Sequence, residues 1–319
     1  MDLVSLADVR AAARDVAATV LRTPLLPTRW DDRLWLKPES LQPVGSFKLR
    51  GATHAVARLG AAQRARGVVT HSSGNHGQAL AYAARAAGVP CTVVVPEGAP
   101  RVKVDQIRAL GAEVVLVPRP RRAAEAERVA AETGAALVPP YDHRWIIAGQ
   151  GTVGLEIVED LPDVDLVLVP VGGGGLASGV ATAVKALRPA ATVLGVEPAL
   201  AAEARESLAT GEVVVWGVER TYRTSADGLR LPLSALTLAH LRAHLDGIVT
   251  VTEEEIRAAM GVLLRDARLV AEPSGAVALA AHLFHRAGLP TAGRTVAVVS
   301  GGNVDPDVLA AALPDAGPC

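Results

Sequence analysis

The chain has 319 residues, half of them apolar and only 3% aromatic, with 32 basic against 33 acidic residues and a net charge of −1. Such a length suggests two lobes or one large α/β unit, and the apolar share allows a sizeable core of Ala, Val and Leu without disulfide or metal staples. The balanced charge gives no electrostatic reason to expect a nucleic acid or an anionic membrane as partner, and two distant cysteines, Cys91 and Cys319, fit a reducing cytoplasm.

The N-terminal stretch carries charge throughout and lacks the apolar core of a signal peptide; Ser5 is placed to cap a first helix. Strand-length apolar runs follow at Leu34–Leu36, Val68–His71, Thr92–Val95 and Glu113–Val117, then at Leu166–Val171, Thr192–Val196 and Thr295–Val299. Between them Gln78–Ala87, Val104–Leu110, Ala123–Glu132 and Ile256–Leu264 repeat their apolar residues at helical spacing, the last opened by Thr252 with Glu255 three residues on. The arginines at 119, 121 and 122 read as the solvated start of a helix. The stretch 166–184 is uncharged and of membrane-spanning length, but Pro170 and four successive glycines break it into a strand, a loop and a helix start. Strands alternating with helices imply parallel sheets covered on both faces, whose ligands gather at the C-terminal strand ends.

Unusual residues collect at those ends. Gly172, Gly173, Gly174, Gly175 and Leu176 stand between a strand and a helix; such a run either turns its N–H groups toward an anion or is a flexible turn, and it lacks the Lys-Ser/Thr of a nucleotide P-loop. Lys48, in Gly45-Ser-Phe-Lys48-Leu-Arg-Gly51, is either a snorkelling surface lysine or an amine desolvated enough to attack a carbonyl, with Arg50 as a nearby cation. Ser72, Ser73, Gly74, Asn75 and His76 open a helix with more small polar groups than one cap needs, enough to receive a carboxylate, and Ser73 could serve as an acid–base group. Ser300 ends a strand in Ser300-Gly-Gly-Asn303 and either closes it or meets a ring nitrogen.

Taken together and in order, GSFKLRGA, THSSGNHGQAL, IIAGQGTVGLE, VPVGGGGLASG, AEPSGAVALAA and SGGNVD resemble the fold-type-II pyridoxal-phosphate enzymes. Within that group they are most similar to the threonine/serine dehydratases and serine racemase, from about Thr23 to Asp305. The resemblance implies an α/β fold of two open parallel-sheet lobes, like the β subunit of tryptophan synthase. A large cofactor-binding lobe would take 1–66 and 145–319, and a small substrate-closing lobe 67–144. It implies that Lys48 carries pyridoxal 5'-phosphate as a Schiff base and takes the substrate's α-proton, with Phe47 beside the ring. Gly172, Gly173, Gly174, Gly175 and Leu176 would hold the phosphate, Asn75 the 3-hydroxyl and Ser300 the ring nitrogen. Ser72, Ser73, Asn75 and His76 would surround the substrate carboxylate.

By the same resemblance the activity is α,β-elimination from L-serine, L-threonine or a related β-hydroxy-amino acid, giving a 2-oxo acid and ammonia. Ser73 matches the serine that in serine racemase stands across the ring from the lysine, so racemisation is the first alternative. β-Replacement and a non-catalytic amino-acid- or cofactor-binding protein are the others. Glu197, Ala201 and Glu203 fall at the racemase's divalent-cation positions, suited to Mg²⁺ or Ca²⁺, and are equally read as a solvated acidic helix start. A homodimer is expected from the family. Tyr141-Asp142-His143 is expected to line the substrate pocket, Cys91 to be buried and inert, and His240 with His244 to be surface residues rather than metal ligands.

Overall fold

The computed structural model describes residues 2–72, 74–99 and 101–313. Its ten strands are β1 (Leu26–Pro27), β2 (Leu34–Pro38), β3 (Val68–His71), β4 (Cys91–Pro96), β5 (Glu113–Val117), β6 (Ala136–Leu137), β7 (Leu166–Pro170), β8 (Thr192–Pro198), β9 (Gly247–Val251) and β10 (Thr295–Val299). They form two sheets. The larger has six strands in the order β1-β2-β10-β7-β8-β9, the smaller four in the order β5-β4-β3-β6. Every pairing is parallel except that of the two-residue β1 with β2. All seven strands expected from the sequence are present. The others are β1 and β6, each two residues long, and the edge strand β9.

Central strands are apolar because helices cover both their faces. In β7 and β10 every residue is buried. One face of the larger sheet packs on the helices Glu253–Arg265 and Pro273–Phe284, and the other on Arg144–Asp160 and Gly175–Leu187. The smaller sheet lies between Lys48–Ala57 with Asn75–Ala87 on one side and Arg122–Thr133 on the other. Caps act where the sequence placed them: Ser5 Oγ accepts from the Asp8 amide, and Thr252 Oγ1 from that of Glu255.

A core so poor in rings closes by bringing backbones together. The helix Arg144–Asp160 meets the helix Lys48–Ala57 at Gly149 and Gly51, where a β-carbon on Gly149 would stand 2.6 Å from the Gly51 α-carbon. Beside that contact lies a buried ion network. Arg50 reaches Glu39 and Glu156, each at 2.7 Å, and Lys37 Nζ lies 2.6 Å from Glu156. The Thr23 hydroxyl donates to Glu39. These bonds fasten the helix that begins at Lys48 to the end of β2 and to the helix Arg144–Asp160.

Candidate active site

The C-terminal ends of β3, β7 and β10 face one cavity of about 530 Å³. Its wall contains Phe47, Lys48, Ser72, Asn75, His76, Gly172, Gly173, Gly174, Gly175, Leu176 and Ser300. All the described residues expected at the cofactor or the substrate are therefore gathered in one place; Ser73 lies outside the described residues.

Lys48 is the first residue of its helix, and its Nζ donates to the Pro140 carbonyl at 2.8 Å. Burial lowers its pKa to about 8, against a smaller upward pull from Glu272. Arg50 is not the cause of that depression: its guanidinium points into the Glu39–Glu156 network. Phe47 lies alongside, its ring centroid 5.1 Å from Nζ.

The glycine run is a cradle with donors to offer. The amides of Gly172, Gly173, Gly174, Gly175 and Leu176 bond to no acceptor among the described residues; in-helix bonding begins with Ser178, which donates to the Gly174 carbonyl. All five are buried, and the helix Gly175–Leu187 starts there with its positive dipole end. Gly174 has φ +85°, and a β-carbon on Gly173 would strike the Tyr141 ring. Buried, unsatisfied N–H groups at a helix start fit a phosphate. Lys48 supplies a carbonyl-reactive amine in the same cavity, so the residues present fit pyridoxal phosphate.

Asn75 opens the helix Asn75–Ala87, and its Nδ2 donates to Glu272 Oε1 at 2.7 Å. The His76 ring donates from Nε2 to the Val138 carbonyl at 2.9 Å, while its buried Nδ1 has no partner among the described residues. Burial and the nearby Lys48 charge bring the His76 pKa down to about 3, so this imidazole is neutral. Ser300 is buried and its hydroxyl donates weakly, at 3.3 Å, to the Ser274 carbonyl.

Several wall residues had no role from sequence. Glu272 stands in AEPSGAVALAA, a motif quoted for its resemblance alone; burial, with Asp227 adding to it, pushes its carboxyl up to about 8. Arg119 and Arg122, read as a solvated helix start, line the mouth, Arg119 over the Tyr222 ring at 5.2 Å. Tyr141 and Asp142 line the cavity, whereas His143 caps the next helix by accepting from the Trp145 amide.

The expected cation positions lie apart from this cavity. Glu197 accepts from the backbone amides of Ala204 and Arg205 at 3.0 and 2.9 Å, which makes it a cap for the helix Glu203–Thr210. Glu197 and Glu203 are both buried, not a solvated face, and burial raises both, Glu197 to about 8. No group of three or more His, Cys, Asp or Glu that could hold a metal occurs among the described residues. His240 corrects another expectation: it is buried, accepts from the Val4 amide and donates to the Leu236 carbonyl, a structural bond rather than a surface one. Cys91 is buried, with its thiol pushed up to about 12.

The family described as pyridoxal-phosphate dependent enzyme matches residues 16–301 of the chain. The chain belongs to that family, as a fold-type-II member. It is 42% identical to L-threonine ammonia-lyase of Thermotoga maritima over 318 residues, which cover 96% of this chain and 77% of that one. Among solved structures, a T.th. threonine deaminase is 45% identical with a TM-score of 0.89, covering 94% of this chain and 99% of the other. The serine racemase of Dictyostelium discoideum is 37% identical with a TM-score of 0.88, covering 95% and 99%. No helix among the described residues of this family member is long and apolar enough to cross a membrane.

Proposed function

We propose that this pyridoxal-phosphate enzyme is a dehydratase that converts L-serine, L-threonine or a related β-hydroxy-amino acid to a 2-oxo acid and ammonia. The observation that carries the reading is the meeting of Lys48, the glycine cradle, Asn75 and Ser300 in one cavity. Bound there, the cofactor supplies an electron sink for the pair left when the substrate's α-proton departs. Lys48, with its lowered pKa, is the base that takes that proton. Ser300 offers the ring nitrogen a neutral hydroxyl rather than a carboxylate, which keeps the sink shallow and favours prompt loss of the β-hydroxyl. The amides of the Asn75–Ala87 helix start, with Ser72, receive the substrate carboxylate, and neutral His76 adds no charge there. Loss of water and later hydrolysis balance, so the net change is hydroxy-amino acid to 2-oxo acid plus ammonia.

Relatives named as threonine ammonia-lyase support elimination, and those named serine racemase support the second reading, in which Ser73 returns the proton to the opposite face. Glu197, the Ala201 carbonyl and Glu203 are the proposed seat of a divalent cation, and a homodimer is the proposed assembly. A proton NMR time course of L-serine and L-threonine in D₂O, with pyridoxal phosphate and Mg²⁺, tests the main reading. Appearance of 2-oxo acid, absent in Lys48→Ala, is the expected result. Exchange at the α-carbon without 2-oxo acid, with the D-enantiomer found by chiral analysis, would establish racemisation instead, and turnover retained by Lys48→Ala would refute the role of the lysine.

A further inference from the structure

Asn75 is held from both sides. Asn303 Nδ2 donates to the Val44 carbonyl at 2.8 Å and to Asn75 Oδ1 at 2.7 Å, and Asn75 Nδ2 donates to Glu272 Oε1 at 2.7 Å. The direction of this chain is fixed at its start. A backbone carbonyl only accepts, so the Asn303 atom beside Val44 is the amide nitrogen. Its other hydrogen then needs an acceptor, which makes the neighbouring Asn75 atom the oxygen and turns the Asn75 nitrogen toward Glu272. One Asn75 hydrogen goes to Glu272; the other has no acceptor among the described residues, and Asn75 lines the cavity.

The clamp joins the two sheets and is built into the backbone around it. Asn75 follows β3 of the smaller sheet, while Asn303 follows β10 and Glu272 precedes the helix Pro273–Phe284, both on the larger. The Gly302 amide donates to the Gly45 carbonyl at 2.9 Å, and the Glu272 amide to that of Gly301 at 3.0 Å. A β-carbon on Gly45 would run into the Asn303 amide, and one on Gly301 would stand 2.5 Å from Glu272 Oε1. The glycines of GSFKLRGA and SGGNVD thus leave room for the two residues that grip Asn75.

We infer that Asn303 and Glu272 are positioning residues that hold the Asn75 amide one way round, so that an N–H and not a C=O faces the 3-oxygen of bound pyridoxal phosphate. The inference rests on the proposed function, in which the cofactor lies on Lys48 with Asn75 at that oxygen. A donor there favours the ionised oxygen and an acceptor the protonated one, and this balance sets the ratio of visible to near-ultraviolet absorption of the bound cofactor. Burial holds the Glu272 carboxyl up to about 8, so it is largely neutral near pH 7 and glutamine is a close replacement.

The test is the absorption spectrum of the full chain loaded with pyridoxal phosphate, compared among variants. An aspartate at 303 can only accept when ionised; it should draw over the Asn75 NH₂ group and turn the amide. Asn303→Asp is therefore expected to raise the near-ultraviolet to visible ratio about tenfold, the size of a charge-assisted hydrogen bond lost. Asn75→Asp should give the same shift, and the double variant no more than Asn75→Asp alone. Glu272→Gln should keep the wild-type ratio while Glu272→Met shifts it toward the near-ultraviolet, a pair that carries the test if Asn303→Asp does not fold. An unchanged ratio in folded Asn303→Asp, additive shifts in the double variant, or equal damage from Glu272→Gln and Glu272→Met would overturn the inference. A bound wild-type cofactor with a near-ultraviolet band alone would overturn this inference and leave the proposed function standing; if the wild-type chain acquires neither band, the proposed function itself falls, and this inference with it.

Discussion

The Lys48 amine should load pyridoxal phosphate with a pH dependence centred near 8 rather than near its ordinary value of 10.5. An amine must be unprotonated to attack a carbonyl. At pH 7 a pKa of about 8 leaves about one amine in ten free, against about one in 3,000 for an unperturbed lysine, an advantage of about 300-fold. The cause is burial, opposed by the Glu272 charge. Above pH 8, where the Glu272 carboxyl is ionised, Glu272→Gln removes the charge that favours the ammonium form and should move the inflection further down. The assay is the initial rate at which the apoprotein develops the visible cofactor band, from pH 6 to 11, divided by the rate for a free lysine derivative. Expected is a ratio that is level below pH 8, where both amines gain free base about tenfold per pH unit, and that falls about tenfold per unit from 8 toward 10.5, where only the free lysine still gains. A ratio that stays level as far as pH 10.5, or a break that Glu272→Gln raises, would refute burial as the control.

Gly174→Ala places a β-carbon 2.7 Å from Leu233 Cδ2 at φ +85°; left-handed backbone and overpacking together should cost about 2–4 kcal/mol in urea unfolding, with weaker pyridoxal phosphate binding. Arg50→Met leaves Glu39 and Glu156 buried without their main counterion and should cost about 3–5 kcal/mol in the same measurement; a loss below 1 kcal/mol would mean that the network does not anchor the Lys48 helix. Glu197 has a folded pKa of about 8, above the ordinary 4.5, so it contributes stability that is present below pH 4.5 and lost as pH rises through 8. The Tm of the apoprotein should fall less steeply over that window in Glu197→Gln. If Glu197 and Glu203 seat a cation, Mg²⁺ should raise Tm more at pH 8 than at pH 6, since metal and proton compete for the same oxygens; a rise that persists in Glu203→Gln places the ion elsewhere.

Much of the site was legible because its chemistry is local in sequence. Four glycines between a strand and a helix can be read as a phosphate cradle or a flexible turn, and Lys48 beside Phe47 as a reactive or a snorkelling amine; the order of the six motifs chose between them. What was not legible depends on partners far along the chain. Asn75 and Glu272 are 197 residues apart and Asn303 is 228 from Asn75, so their clamp has no spacing to reveal it. His240 shows the same limit: its partner is the Val4 amide, 236 residues away, and a histidine pair at helical spacing carries no trace of that bond. The fold was read more fully than the site's support because buried parallel strands leave continuous apolar runs, whereas β1 and β6, two residues each, leave none.

Arg50 separates two explanations of why Lys48 is reactive. A cation two residues from the amine would lower its pKa by repulsion if its charge were free to act. Here the charge is matched: Arg50 and Lys37 carry two positive charges and Glu39 and Glu156 two negative ones, within one network. A neutral cluster exerts little net field at Lys48, and the depression follows from burial in the cavity wall. The network's contribution is mechanical: it fixes the helix whose first residue is Lys48, so that the half-buried amine stays in the cavity wall. Arg50→Met should therefore leave the loading inflection near 8 under conditions where the variant remains folded, while lowering the denaturant needed to abolish loading. An inflection displaced toward 10.5 in the folded variant would show that the Arg50 charge, and not the burial it secures, tunes the lysine.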